Sequence, residues 1–195
     1  MKIKICGIKR KQDILYVNLY QPDYIGFIFA DSSRRVSFDQ ARELKALLDP
    51  KICAVGVFVD AAIDDIVTLA QEKIIDMIQL HGHEDQQYID TLRQRTSQPI
   101  IKAIRVIDET SFNISYDADY YLLDGKVAGS GQCFNWDYIP SMDKPVFLAG
   151  GICLENIHEA LKQNVYALDI SSGAETNGVK DRYKIGEIMR STRTC

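Results

Sequence analysis

The most constraining feature of this sequence is the repetition of one unit, an apolar strand followed by a helix. Eight segments have strand-like composition, and most of them run apolar without alternation, as parallel strands buried on both faces do. The predicted strands are Ile3–Cys6, Tyr24–Phe29, Ile52–Val59, Met77–Leu80, Pro99–Ile104, Tyr120–Leu123, Val146–Ala149 and Tyr166–Ile170. The predicted helices are Lys11–Tyr20, Phe38–Leu48, Ile63–Lys73, Gln86–Arg95, Leu154–Gln163 and Tyr183–Arg193.

Two α/β architectures accept this order of elements, a doubly wound open sheet and a (β/α)8 TIM barrel. Eight units without a linker favour the barrel, as one domain over residues 1–195. The chain is close to the lower limit of about 200 residues for this fold, so its connections must be short. The fifth connection, "DETSFNISYDA", is polar and broken. We therefore expect a compact barrel in which helix 5 is short or missing.

Composition narrows the classes of function. The net charge is −4 and no basic stripe is present, so we expect neither a nucleic-acid nor a membrane partner. No apolar run is long enough for a membrane span, and the first residues do not resemble a secretory signal. The five cysteines are widely spaced without a CxxC pair, which argues against disulfides and a zinc site. We expect a reduced, cytoplasmic setting and no metal.

Most of the polar or reactive residues of interest follow the ends of the predicted strands. In a (β/α)8 barrel these ends share one rim, where the active site is found. These positions are Cys6-Gly7, Arg34-Arg35, Asp60, Gln79–Gly82, Arg105, Asp124–Lys126, Gly150-Gly151 and Asp169–Gly173.

The last two strand ends, "LAGGI" and "DISSGAE", carry the glycines and serines that suit a phosphate site. Backbone N–H groups and a short helix N-terminus bind phosphate at this place in many barrels. Gly150 and Gly151 would let the backbone approach the anion, and the Ser171 and Ser172 hydroxyls could donate to it. The alternative is that the glycines only turn the chain into the next helix.

Each remaining candidate has a structural alternative. Asp124 ends the apolar strand "YYLLD", where it either works chemically or pairs with Lys126. The two adjacent arginines are either solvated or a clamp for a carboxylate. We expect a hydrogen bond at the rim for His81 and solvent for His83. Cys6, taken alone, is more often packing than chemistry.

Taken together, the motifs resemble the phosphoribosylanthranilate isomerase family of tryptophan biosynthesis over essentially the whole chain. The segments that carry the resemblance are "KICGI", "GFIFADSSRRVS", "AVGVFVD", "IQLHG", "YYLLD", "GSGQCFNW", "FLAGGI", "ALDISSGAE" and "GVKD". The resemblance implies a compact barrel that binds a small phosphosugar–anthranilate substrate. For the oligomeric state we expect a monomer, which the resemblance does not fix. It also implies an Amadori rearrangement of N-(5-phosphoribosyl)anthranilate to 1-(2-carboxyphenylamino)-1-deoxyribulose 5-phosphate, without cofactor or metal.

The resemblance also implies a role for each matching residue. Cys6 would be the general base and Asp124 the general acid, so the thiol should ionise readily and the carboxyl should keep its proton. Arg35 would hold the anthranilate carboxylate, and Gly7 would leave room for the substrate. The phosphate would bind Gly150, Gly151, Ser172 and Gly173, with Ser171 beside them, whereas Gln79 and Asp169 would contact the substrate elsewhere.

Two positions depart from the family pattern and two other functions stay open. Asn135 stands where aspartate is usual, Ala128 stands where a second glycine is common, and the loop after Asp124 is short. These changes bear on loop closure and turnover rather than on the reaction class. Another phosphosugar isomerase or epimerase and a non-catalytic phosphometabolite-binding barrel are the alternatives.

Overall fold

The fold is a closed barrel of eight strands, seen in a computed structural model that describes residues 1–112, 115–125, 134–136 and 139–192. The strands are β1 (Lys2–Cys6), β2 (Tyr24–Ile28), β3 (Cys53–Phe58), β4 (Met77–Leu80), β5 (Ile100–Arg105), β6 (Tyr120–Asp124), β7 (Val146–Leu148) and β8 (Ala167–Ile170). The helices are α1 (Lys11–Tyr20), α2 (Phe38–Leu47), α3 (Ile63–Gln71), α4 (Gln86–Arg93), α5 (Ile157–Ala160) and α6 (Arg182–Ser191). A two-stranded ribbon, β9 (Glu175–Thr176) with β10 (Val179–Lys180), follows the barrel.

Each strand pairs in parallel with the next, and β1 pairs with β8 to close the ring. The register places Lys4 opposite Tyr24 on one side and opposite Asp169 on the other. This is the predicted (β/α)8 barrel. Since all eight strands point the same way, their carboxyl ends form one rim.

Two apolar clusters hold the barrel. One fills the space between strands and helices, where Ile3 and Ile5 of β1 pack in the same cluster as Ile14 and Val17 of α1. The other fills the barrel interior and includes Tyr24 and Phe147, whose rings meet edge to face. Side chains alternate along a strand, and Ile3 and Ile5 face the helices, so their neighbours in β1 face the barrel interior. Lys4 and Cys6 are therefore inward-facing.

Side-chain caps begin three of the helices. The Ser37, Asp85 and Asp181 side chains accept hydrogen bonds from backbone N–H groups in the first turns of α2, α4 and α6. Such caps satisfy donors that have no partner within the helix. These helices begin within one residue of their predicted starts.

Neither the connection after β5 nor the connection after β7 contains a helix of ordinary length. Among its described residues, the fifth connection, after β5, contains only a 3-10 turn, Glu109–Phe112. This confirms the prediction that the helix of the fifth unit is short or missing. The predicted helix Leu154–Gln163 is wrong in length, since α5 covers only Ile157–Ala160. Its start is delayed because the Asn156 side chain accepts from the Cys153 N–H and donates to the Gly151 carbonyl. These bonds favour a turn over a helix.

No helix among the described residues is both long and apolar enough to cross a bilayer.

Candidate active site

A cavity of about 380 Å³ opens at the carboxyl ends of the strands. Its lining residues are Cys6, Ile28, Ala30, Asp31, Ser32, Arg34, Val57, Val59, Gln79, His81, Asp124, Ala149, Gly150, Gly151, Ile152, Asp169, Ser171 and Ser172. The fold thus brings eight of the eleven predicted site residues to one place. Gly7, Arg35 and Gly173 are the three that do not line it.

Cys6 lies at the end of β1 with only 6% of its surface exposed. Gly26 on the neighbouring strand makes space for it, because a Cβ at Gly26 would lie 2.6 Å from the Cys6 sulfur. Burial raises the pKa of the Cys6 thiol, and the nearby charges of Lys4 and Lys180 only partly oppose this. Burial thus opposes the expected ready ionisation of this thiol, whereas the two lysines favour it.

Lys4 is a fully buried cation beside Cys6, and no role was assigned to it from the sequence. Its Nζ donates to Gln79 Oε1 at 2.7 Å and to Asp169 Oδ2 at 2.8 Å. Burial alone would lower the pKa of Lys4, but the charges of Asp169 and Cys6 outweigh it and raise that pKa. The other carboxylate oxygen of Asp169 is buried and hydrogen-bonds to none of the described residues. Asp169 therefore has one acceptor available on the cavity wall.

Asp124 ends β6 with about a third of its side chain exposed. Its Oδ2 lies 3.3 Å from His81 Nε2, and His81 Nδ1 lies 2.8 Å from Gln79 Nε2. The predicted rim hydrogen bond of His81 is thus confirmed. His83, as expected, is exposed, and its Nδ1 lies 3.0 Å from Asp60 Oδ2. Asp124 is a carboxylate at the cavity mouth with one oxygen already engaged.

The first arginine of the pair, Arg34, lines the cavity rather than the second. Its Nε and Nη2 donate to the two oxygens of Glu175, each at 2.7 Å. Arg35 is exposed, and its backbone forms a bridge with Ile28. Gly7, with φ of +85°, makes room for Arg34, since a Cβ there would lie 2.6 Å from Arg34 Cδ. The structure thus places Arg34, and not Arg35 or Gly7, in the cavity lining, and the substrate roles of Arg35 and Gly7 stay predictions.

Glu175 and Lys180 tie this arginine to the loop after β8. Lys180 Nζ donates to Glu175 Oε1 at 2.6 Å and to the Ser171 carbonyl at 3.1 Å. Burial would raise the pKa of Glu175, but hydrogen bonds from Arg34 and Lys180 hold it down to about 2. Burial lowers the pKa of Lys180 in spite of this partner. Both residues stand in the motifs "ISSGAE" and "GVKD", so the signal was present in the sequence.

The two glycine-bearing loops meet beside the cavity. Gly150 and Gly151 have φ of +92° and +78°, which is the left-handed region that glycine adopts without strain. Their N–H groups donate to no backbone carbonyl of the described residues. Gly173 fixes the contact between the loops, because a Cβ there would lie 2.0 Å from the Ile152 carbonyl oxygen. Gly173 lines an adjoining pocket together with Gly151 and Ser172. These loops can present N–H groups to an anion.

Part of the predicted site lies outside the described residues. The loop after Asp124 contains Lys126, Ala128 and Cys133, and positions 126–133 are not among those described. The pairing of Asp124 with Lys126 and the closure of this loop therefore stay predictions.

Comparison with known proteins gives one consistent answer. The sequence model of the N-(5'phosphoribosyl)anthranilate (PRA) isomerase family matches residues 3–191. A curated relative, the N-(5'-phosphoribosyl)anthranilate isomerase of Endomicrobium trichonymphae, is 46% identical, covering 99% of this chain and 98% of the relative.

Solved structures agree with the sequence matches. The phosphoribosyl anthranilate isomerase of Thermus thermophilus is 32% identical with a TM-score of 0.87, covering 100% of this chain and 99% of that one. Another isomerase, solved with reduced 1-(o-carboxyphenylamino)-1-deoxyribulose 5-phosphate, is 28% identical with a TM-score of 0.83 and full coverage of both chains. A third, from Thermotoga maritima, has the same three values and is described as a dimeric enzyme from which monomers were generated.

Proposed function

Since the chain belongs to the N-(5'-phosphoribosyl)anthranilate isomerase family, it is an isomerase of tryptophan biosynthesis, and we propose that Cys6 and Asp124 are its general base and general acid. The observation that carries this proposal is that both side chains line one cavity beside the glycine-bearing loops. The two residues end β1 and β6, which are not neighbours in the barrel. A sugar between them would have the acid and the base on different sides.

The substrate has three kinds of polar group, and the cavity offers a partner for each. Its phosphate would accept hydrogen bonds from the backbone N–H groups of the two loops, at Gly150, Gly151, Ser172 and Gly173. Its carboxylate would face Arg34, whose planar guanidinium suits such a group and is held in place by Glu175. Its hydroxyls would donate to Asp169 Oδ1, the carboxylate oxygen that has no other partner among the described residues.

The reaction needs one proton given and one proton taken. Asp124 gives its proton to the furanose ring oxygen, the C1′–O bond breaks toward that oxygen, and the nitrogen lone pair forms a C1′=N Schiff base. Cys6, as thiolate, then takes the proton from C2′, and the electrons of that C–H bond form an enol-amine whose nitrogen is neutral. The enol-amine tautomerises to the amino ketone, as the C2′ hydroxyl loses a proton and C1′ gains one. Proton exchange with solvent returns Cys6 to the thiolate and Asp124 to the acid, so both groups are regenerated. No electrons are gained or lost overall, so no redox partner is required.

The burial of Cys6 has a consequence for the fraction of active enzyme. The productive form carries a thiolate at Cys6 and a proton on Asp124. Because burial raises the pKa of Cys6, the thiolate is less favoured than it would be for an exposed thiol. Lys4 and Lys180 increase the thiolate fraction, because each is a cation near the sulfur.

The proposal is tested by following the loss of substrate fluorescence with wild type, Cys6→Ala and Asp124→Ala. His83→Ala is the control, since His83 is exposed and does not line the cavity. We expect turnover in wild type and the control and a loss of at least about a hundredfold in each of the other two. Turnover that survives Cys6→Ala unchanged would remove Cys6 from the mechanism, and the same holds for Asp124. No turnover in wild type would favour a non-catalytic barrel.

We also propose that residues 1–195 act as one catalytic domain in the cytoplasm. The proposed mechanism uses only groups of one chain, namely Cys6, Asp124 and the residues beside them in the cavity, and it needs none from a second copy. Analytical ultracentrifugation of the active enzyme tests this, and activity that is found only in a dimer would contradict it.

A further inference from the structure

We propose that Lys4 and Gln79 are positioning residues that hold His81 as the neutral tautomer with its proton on Nε2, so that His81 donates to Asp124. The proposal rests on the role of Asp124 as general acid. Three side chains, Lys4, Gln79 and His81, form one hydrogen-bonded chain that runs from the barrel interior to Asp124 at the rim.

The first step is the orientation of the Gln79 amide. Lys4 is fully buried and Gln79 is 1% exposed, so solvent does not compete for their contact. The ammonium group of Lys4 has donors only, and it lies 2.7 Å from the Gln79 side chain. The atom of Gln79 that faces Lys4 must therefore be the acceptor, Oε1. The orientation of the Gln79 amide therefore follows from the donor and acceptor capacities of the two groups alone.

The second step follows from the first. With Oε1 turned to Lys4, the NH2 group of Gln79 is turned to His81 Nδ1 at 2.8 Å. An amide NH2 can only donate, so Nδ1 must accept and cannot carry a hydrogen. The proton of a neutral imidazole is then on Nε2. A doubly protonated ring would bring an N–H against the N–H of Gln79.

The third step concerns Asp124. The Nε2–H of His81 points to Asp124 Oδ2 at 3.3 Å, which leaves Oδ1 as the oxygen that carries a transferable proton. Oδ1 is on the side of Gly150, where a Cβ would lie 3.1 Å from it. A neutral donor stabilises the carboxylate after proton transfer. A cationic imidazolium would favour the ionised carboxylate beforehand and so remove the acid.

Nitrogen-15 NMR of the imidazoles tests the tautomer in the free wild-type protein. The chain has three histidines, and His81→Gln identifies the signals of His81 by their loss. We expect the His81 signals to show an unprotonated Nδ1 and a protonated Nε2. His83 is the internal reference, since its Nδ1 faces a carboxylate rather than an amide. A protonated Nδ1 at His81 in wild type would overturn the proposal.

Gln79→Glu tests the function of the arrangement. A carboxylate at this position can accept both from Lys4 and from a protonated His81 Nδ1, so the ring becomes an imidazolium. We expect kcat to fall by about tenfold or more, since the proton donor is lost. The NMR signals of His81 should change to those of the cation.

Two further variants separate this role from packing. Gln79→Met keeps the volume and removes both hydrogen bonds, so the fraction of His81 with an unprotonated Nδ1 should fall, although the contact with Asp124 remains. His83→Gln should change neither the His81 signals nor kcat. An unchanged tautomer in Gln79→Met and Gln79→Glu would overturn the proposal. The NMR result does not depend on turnover, so it stands or fails separately from the role of Asp124.

Discussion

Replacing Glu175 by glutamine should destabilise the protein by an amount that depends on pH. The pKa of Glu175 is held at about 2 instead of 4.5, because Arg34 and Lys180 donate to its carboxylate in a buried site. The difference is worth roughly 3 kcal/mol at about 1.36 kcal/mol per pH unit. Since the folded-state pKa lies below that of the unfolded chain, this stability is present above about pH 4.5 and is lost as the pH falls toward 2.

Urea unfolding of wild type and Glu175→Gln, monitored by circular dichroism, measures this effect. At pH 7 we expect the variant to be less stable by roughly 3 kcal/mol. At pH 3.5 the difference should be smaller by roughly 1.4 kcal/mol, because protonation then removes part of the wild-type advantage. Glu43→Gln is the matched control. Glu43 pairs with Lys11 on the surface, and such exposed pairs contribute about 0–1 kcal/mol.

Two results would refute this reasoning about Glu175. One is a difference between wild type and Glu175→Gln that stays constant from pH 7 to pH 3.5. The other is equal stability of both proteins at pH 7, which would mean that desolvation of the three charges cancels their attraction.

Three further predictions concern the site. Arg34→Lys should raise the steady-state KM by about tenfold or more, and Arg35→Lys should not. The reason is that, of the two, only Arg34 lines the cavity, where Glu175 holds its guanidinium in a bidentate contact. Equal effects of the two variants on KM would contradict this. Gly173→Ala should raise KM, because the added Cβ would clash with the Ile152 carbonyl oxygen. Gly178→Ala is the control: its Cβ meets no atom within 4 Å, so it should affect only stability. Steady-state assays measure the first effect and thermal unfolding the second. Iodoacetamide labelling of Cys6, read by peptide mass spectrometry, should have its midpoint above about pH 8.5, and a lower midpoint would mean that burial does not dominate.

The fold was predictable because its signal is repeated. Eight apolar strands and their helices give many independent indications of the same barrel, and an error of one or two residues at an element end does not change the architecture. The misjudged helix before Val165 shows the limit. A single side chain, Asn156, hydrogen-bonds to the backbone on both sides and delays the helix, and periodicity contains no such information.

The site was predictable in position and less so in detail. Cys6 and Asp124 follow from strand ends, but the choice between Arg34 and Arg35 depends on which of two adjacent side chains faces inward, and the sequence does not determine this. The alternation of polar and apolar residues in Lys2-Ile3-Lys4-Ile5 is typical of a strand with one solvent-exposed face, and that pattern would place Lys4 in solvent. A parallel strand buried on both faces has no solvent side, so a lysine in it must lie in the interior with a partner. That argument could have identified Lys4 from the sequence.

The pH profile of kcat/KM tests the central claim most directly, namely that one group must be ionised and another protonated. We predict that kcat/KM falls on the acid side, where the base is protonated, and on the alkaline side, where the acid has lost its proton. The measurement needs only the wild-type enzyme and the fluorescent substrate. A profile that is flat from acid to alkali, within the range in which the protein stays folded, would contradict catalysis by Cys6 and Asp124.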